Sequence, residues 1–197
     1  MMSMVRAVIR AMAGDAKEYG SNMASHMPVL HLLARHWSFG EIVELGVGRG
    51  WSTLAIFSGV CEAERRFSSY DVNPDCRARA LAAIGLPSAD PRLGRWEFRN
   101  KTSLEGAANY KDGSVSLLFL DTTHTYEDTK VELAAWLPKI HPQGVMCGHD
   151  YFLHEDPRWK DVSRVKQAVD EFSALHAGRF DLQVLPNDFG FFILWPK

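Results

Sequence analysis

From about residue 41 onward, short apolar runs of strand character alternate with helical patterns. EIVELG (41–46), RFSSYDV (66–72), RWEFRN (95–100), SVSLLFLD (114–121) and GVMCGHD (144–150) read as strands. Strict alternation of this kind builds βαβ units, whose parallel strands are covered by helices on both faces. Near the end the rhythm breaks. RFDLQVLP (179–186) and FGFFILW (189–195) are separated only by Asn187 and Asp188. A parallel crossover needs about a dozen residues or more, so this link closes an antiparallel hairpin. The expected fold class is α/β: a doubly wound seven-stranded sheet, five parallel-type strands plus a C-terminal antiparallel hairpin.

Between the strands, Asn73-Pro74 opens a helix as cap and first helical residue, and Gly85 closes it. A second helix starts near Tyr126, with Leu133, Trp136, Leu137 and Ile140 at helical spacing and Pro138 near its end. A third places Val162, Val165, Val169 and Phe172 on one face. Residues 1–37 read as a helical segment, with Leu30, Leu33 and Trp37 on one stripe, ahead of a core spanning 41–195. At 197 residues the whole is expected to form one domain.

Composition narrows the function classes. The net charge is −2 without a run of like charges, so no basic footprint argues for a nucleic-acid partner. Cys61, Cys76 and Cys147 are an odd number without metal-like spacing, which fits a reducing cytosol better than a disulfide framework. Arg6 and Arg10 interrupt the apolar N-terminus, so it does not read as a secretion signal. No apolar run approaches the roughly 20 residues of a membrane span. A cytoplasmic location without a membrane partner is expected, and helices ahead of the sheet leave room for a homo-oligomer.

The first strand runs into VELGVGRGWST, with glycines at 46, 48 and 50. Side chains are removed just where the backbone must turn from strand to helix and approach a ligand. No Gly-Lys-Ser/Thr follows, so the phosphate-binding P-loop is not supported. Asp71 ends the second strand, where an acid accepts hydrogen bonds from ribose hydroxyls. A nucleoside ligand follows, and NAD and S-adenosylmethionine (SAM) both satisfy it. Trp51 stands where the dinucleotide fingerprint wants Gly or Ala, and Glu44 would repel a pyrophosphate. An acid there suits the cationic amino and sulfonium groups of SAM. Glu44, Gly46, Gly48 and Asp71 are the expected cofactor contacts.

ELGVGRG, Asp71, the strand ending in Asp121 and the final hairpin resemble a SAM-dependent methyltransferase of the Rossmann-like, seven-stranded type. More narrowly, FLDTTHTYEDTKVELAAWLPKIHPQGVMCGHDY (119–151) is similar to the small-molecule group that includes macrocin O-methyltransferase and cephalosporin-hydroxylase-like proteins. The resemblance covers roughly residues 40 to 195 and implies metal-assisted O-methylation of a small hydroxylated molecule. Ser103 follows the third strand, where such folds contact adenine.

Asp121 and Asp150 end two strands that are neighbours in this fold. Converging carboxylates can hold a divalent cation that orients and acidifies a substrate hydroxyl, and Asp121 also borders the cofactor. The resemblance implies a Mg²⁺-type site on Asp121 and Asp150, with His149 as a third member. Some relatives carry two adjacent carboxylates where this chain has His149-Asp150, and imidazole favours Mn²⁺ over Mg²⁺. His149 then serves as a ligand or as a contact behind the ligands. His124 is the candidate general base, since an unperturbed imidazole is suited to taking a hydroxyl proton near neutral pH. Phe152, His154 and Trp159 could cover the acceptor, and YGSNMASHM (19–27) could close over the site. A nucleoside-binding module without turnover is the reading from another class, and an NAD-dependent oxidoreductase the third.

Overall fold

The computed structural model describes residues 23–197. Helix α1 (Met27–His36) precedes β1 (Glu41–Leu45), α2 (Trp51–Glu62), β2 (Phe67–Tyr70), α3 (Cys76–Ile84), β3 (Trp96–Arg99) and α4 (Ser103–Ala107). There follow β4 (Val115–Leu120), α5 (Tyr126–Trp136), β5 (Ile140–His149), α6 (Val165–Leu175), β6 (Phe180–Leu185) and β7 (Phe191–Pro196). The seven strands form one sheet in the order β3-β2-β1-β4-β5-β7-β6. β1 to β5 pair in parallel, and β7 runs antiparallel to both β5 and β6. The expected fold class is therefore the observed one.

Successive side chains on a strand point to opposite faces, and this alternation divides the core. Ile42, Leu117, Phe119, Val145 and Cys147 meet α1 and α2 through Leu30, Leu54 and Phe57. Val43, Leu45, Leu118, Leu120 and Met146 meet α5 and α6 through Leu133, Trp136, Val169 and Phe172. β4 is buried on both faces along its whole length, as a central parallel strand should be. The three cysteines are free thiols. No helix among the described residues is long and apolar enough to cross a membrane.

Several local expectations are corrected. α3 begins at Cys76, after Asp71 accepts from Asn73 N–H and the Asn73 side chain accepts from Asp75 N–H. Asn73 thus serves a turn before the helix instead of capping it, while Gly85 closes the helix in the left-handed conformation as expected. Ile140 is the first residue of β5, because a short 3₁₀ turn over Leu137–Lys139 ends α5 one turn early. Val162 lies outside α6 and is half exposed, whereas Val165, Val169 and Phe172 form its buried face. The link between β6 and β7 spans 186–190, longer than the two residues expected, with Asp188, Phe189 and Gly190 all at positive φ. The N-terminal segment before residue 23 lies outside the described residues, and of 1–37 the helix covers Met27–His36.

Candidate active site

All five parallel strands deliver their C-terminal ends to one edge, and a cavity of about 920 Å³ opens there. Its wall includes Gly46–Arg49 and Ser52 after β1, Asp71 after β2, Lys101–Leu104 after β3, Asp121–His124 after β4 and His149-Asp150 at β5. Carboxyl ends of strands in an open α/β sheet are where such folds bind ligands.

The glycine loop has two constraints of different origin. Gly46 has φ +85°, and a Cβ there would lie 1.9 Å from the Asp121 carbonyl oxygen, so the ends of β1 and β4 close on each other only without a side chain. Asp71 fastens the same loop. Its Oδ2 accepts from Val47 N–H at 2.9 Å and Gly48 N–H at 3.2 Å, and its Oδ1 accepts from Asn73 N–H at 2.8 Å. The Cys76 thiol is also hydrogen-bonded to this carboxylate, and burial together with Asp71 raises the thiol's pKa. Asp71 therefore shapes the loop as well as lining the cavity.

Glu44 departs from expectation. It is fully buried, does not line the cavity, and accepts from Ser52 Oγ at 2.6 Å, Thr53 Oγ1 at 2.9 Å and Ser69 Oγ. Strand alternation turns it toward α2 and β2, so it braces the loop from behind, away from the cavity wall. Burial pushes its pKa up to about 7, and the three hydroxyls pull only part of the way back. The folded state then holds a proton that the unfolded chain releases near 4.5, so this group's stabilisation is intact below about pH 4.5 and lost as pH rises toward 7. The stability difference between the natural chain and Glu44→Gln should accordingly shift by about 3 kcal/mol across that window, read from urea titrations at several pH values. A flat difference would show that the carboxyl ionises as freely in the folded protein as outside it.

Where β4 and β5 end, one ligand atom each from Asp121, His124 and Asp150 lies within 4.8 Å of the others. His124 Nδ1 is 3.3 Å from Asp150 Oδ2, and His149 Nδ1 is 3.0 Å from Asp150 Oδ1. No well-directed hydrogen bond reaches that buried Oδ1 despite the short approach. His124 and Asp150 both have left-handed backbones, at φ 63° and 62°, which cost about 1–3 kcal/mol each in non-glycine residues. Arg164 N–H donates to the His124 carbonyl at 3.0 Å, and the Trp159 ring stands edge-on to the imidazole at 6.2 Å. Burial raises the Asp121 pKa to about 6, with nearby His149 opposing and Asp150 adding to the rise. Burial pulls His149 down, but Asp150, Asp121 and the Asp188 backbone outweigh it and the net direction is upward.

Two expected roles are thereby redistributed. The three donors that converge include His124 in place of His149. His149 sits behind Asp150, packed edge-to-face on His26 at 5.4 Å. His26 is buried against His149 and Phe191, and burial lowers its pKa to about 4. Of 19–27, Met23 reaches the cavity, while 19–22 lie outside the described residues. Phe152 packs on Tyr151, and His154 borders a separate groove beside α6, so of the three aromatic covers Trp159 comes nearest through His124.

The polar run after β4 divides into two kinds of work. Thr125 caps α5 by accepting from Asp128 N–H at 3.2 Å, and Thr123 and Thr125 both donate to the Asp128 carboxylate. Those hydroxyls hold Asp128 below its usual range. Asp121, Thr122 and His124 take no part in that cap and line the cavity, which Thr123 and Asp128 border as well. Glu132, unforeseen in the sequence, also lines it. It accepts from Ser103 Oγ at 2.5 Å and Thr122 Oγ1 at 2.7 Å, so Ser103 reaches the cavity wall already engaged. Thr129, Glu132, Leu133 and Trp136 make the buried face of α5. An acid on that stripe was the legible signal, since unpaired glutamates rarely occupy core positions.

Comparison with known proteins agrees with this architecture. A methyltransferase-domain family model matches residues 43–151, more than half of the chain. A protein from Corynebacterium glutamicum superposes with a TM-score of 0.72 at 18% identity, covering 97% of this chain and 89% of that one. The O-methyltransferase TomG from Streptomyces achromogenes, involved in tomaymycin synthesis and solved with SAM, gives 0.68 at 19% identity, covering 97% and 89%. An O-methyltransferase from Bacillus cereus in complex with S-adenosylhomocysteine (SAH) gives 0.66 at 18%, covering 98% and 91%. The uncharacterized protein y4gI of Sinorhizobium fredii is 38% identical over 75 residues, which span 36% of this chain and only 8% of that protein. The chain belongs to the methyltransferase-domain family and has the Rossmann-like, seven-stranded fold of SAM-dependent methyltransferases.

Proposed function

We propose that the protein transfers the methyl group of SAM to a hydroxyl of a small acceptor, with a divalent cation assisting. The observation that carries this reading is one cavity joining the glycine loop and Asp71 to the Asp121–His124–Asp150 donors. Solved structures of the same fold hold SAM or SAH. In the reaction the acceptor oxygen attacks the methyl carbon, the carbon–sulfur bond breaks, and SAH and a proton leave. The chain's contribution is to hold donor and acceptor in line in a site shielded from water.

The residues fit a cation on their own evidence. Two carboxylates and an imidazole converge, and the Asp150 carboxylate, flanked by His149 and His124, is buried at their centre. That mixed oxygen and nitrogen set suits Mn²⁺ better than Mg²⁺. Asp121, His124 and Asp150 would hold the ion, which when bound would lower the pKa of an acceptor hydroxyl and fix its oxygen. With Nδ1 directed at Asp150, His124 is a ligand in this reading, not a general base. His149 positions Asp150 from behind.

Calorimetric titration with SAM, repeated with Mg²⁺, Mn²⁺ and EDTA, tests the reading. Micromolar binding, tightened or altered by Mn²⁺, is the expected result; no binding under any condition sinks it. Asp71→Ala should weaken SAM binding about 10- to 100-fold, because a charged acceptor is lost and two loop amides are released. Unchanged affinity in the same titration would remove Asp71 from the cofactor site. His124→Ala should abolish any Mn²⁺ effect on the titration. Retention of that effect together with an altered pH–rate profile would return His124 to the role of base.

A further inference from the structure

We infer that a second cavity, on the β2–β3 edge of the sheet, binds the dianionic head of a small phosphate monoester. The inference is independent of what the first cavity receives. It begins with a crossover too short to roof the sheet. α4 has only five residues, about 7 Å of helix, and it sits at the carboxyl end of β2, where a Cβ on Gly106 would lie 2.9 Å from the Tyr70 ring. Toward the amino ends of β2 and β3 a cavity of about 500 Å³ remains, between Ser68, Glu97 and Arg99 on the strands and Asn109–Lys111 on the loop before β4. That volume is in the range of small-molecule sites.

The charge of this cavity is opposite to that of the chain. Among the described residues that line it, Arg66, Arg95, Arg99 and Lys111 stand against Glu41 and Glu97, in a protein of net charge −2. Both acids already have cationic neighbours. Glu97 accepts from Arg99 Nη2 at 2.8 Å, and Glu41 acts on the Arg65 guanidinium. Arg66 and Lys111, both exposed, keep no carboxylate of their own among the described residues. Arg99 is the fixed member of the group. Glu97 and the Tyr70 hydroxyl, the latter at 3.2 Å, occupy two of its five N–H groups and hold the guanidinium in place, while its Nε has no acceptor. A guanidinium held in advance with two exposed cations beside it suits the several oxygens of a phosphate. Charge-assisted bonds to phosphate are strong, and a donor already ordered loses little entropy on binding. A nucleic-acid backbone fits less well, because a polyanion needs a row of cations and gains nothing from a chain that is negative as a whole.

Calorimetric titration of the natural chain with phenyl phosphate at low salt should give a Kd of about 0.1–1 mM, and phenol should give no heat. Arg66→Gln and Lys111→Gln should each weaken phenyl phosphate about five- to tenfold, and the double variant should abolish its binding. Both side chains are exposed, so these variants leave the core untouched. Lys101→Gln, in the wall of the first cavity, should leave the Kd as it is. No heat from phenyl phosphate with the natural chain overturns the inference. So does an unchanged Kd in the double variant, and so does a loss in Lys101→Gln, which would move the anion to the first cavity. Binding of a DNA oligonucleotide without binding of phenyl phosphate would assign the patch to a polyanion and overturn it as well.

Discussion

Asp150→Ala should lower methyl transfer by about a hundredfold or more while shifting the affinity for SAM less than about threefold. The separation follows from placement. Asp150 follows β5, two strands from β1 and three from β2 in the sheet order, so its removal leaves the bonds from Asp71 to the Val47 and Gly48 amides in place. What disappears is the hub of the acceptor side. Its two oxygens face His149 Nδ1 at 3.0 Å and His124 Nδ1 at 3.3 Å. The left-handed backbone at Asp150 is a further reason to assign it work, because strain at a non-glycine residue persists where the surroundings enforce it. Asp150→Asn, which tolerates that conformation and removes only the charge, should lose most of the turnover as well. Initial rates and calorimetry on the same preparations settle the matter: an unaffected rate would exclude the carboxylate from chemistry, and a parallel fall in SAM affinity would move it to the cofactor side.

Gly46→Ala should be the most damaging single methyl addition at this site, costing about 3 kcal/mol or more of folding stability. About 1–2 kcal/mol comes from forcing a side chain onto a left-handed backbone. The remainder comes from contact, since the new carbon would lie 1.9 Å from a backbone oxygen of Asp121, which cannot swing away as a side chain would. Gly48→Ala provides the control. Its φ is +53°, but a Cβ there meets nothing within 4 Å, so only the conformational cost of about 1–2 kcal/mol applies. Urea denaturation of both variants should therefore place the Gly46→Ala midpoint clearly below that of Gly48→Ala. Equal midpoints would mean that the β1 and β4 ends are free to part, and that the cavity floor is softer than its packing implies.

Much of the architecture was legible from residues 41–197, because alternation of strand and helix and a link too short for a crossover are local properties. Periodicity two on a strand also foretold two core faces, and β4 reads as apolar throughout because it is covered on both. Boundaries were legible less well. Ile140 continues the helical spacing of Leu133 and Trp136, yet it pairs with Val115 as the first residue of β5. Spacing alone cannot show that a neighbouring strand offers better hydrogen bonds than another helical turn.

The site divides along the same line. Which residues end the strands was written in the sequence, so the glycine loop, Asp71, Asp121, His124 and Asp150 all arrive at one edge. Where their lone pairs point was not. Glu44 precedes the loop by two residues and looks like a ligand contact, but it faces inward to Ser52, Thr53 and Ser69. His149 and His124 both reach Asp150, from opposite carboxylate oxygens, but only His124 converges with Asp121 and Asp150, because the His149 ring is packed against His26 at the end of its strand. Glu132 joined the site only through Ser103 and Thr122, its hydrogen-bond partners 29 and 10 residues away. The sequence by itself determined the order of elements and which residues end each strand, because those depend on local periodicity and turn chemistry. Only the tertiary structure decided which atoms face the cavity, because that depends on hydrogen-bond partners and packing supplied by elements remote along the chain.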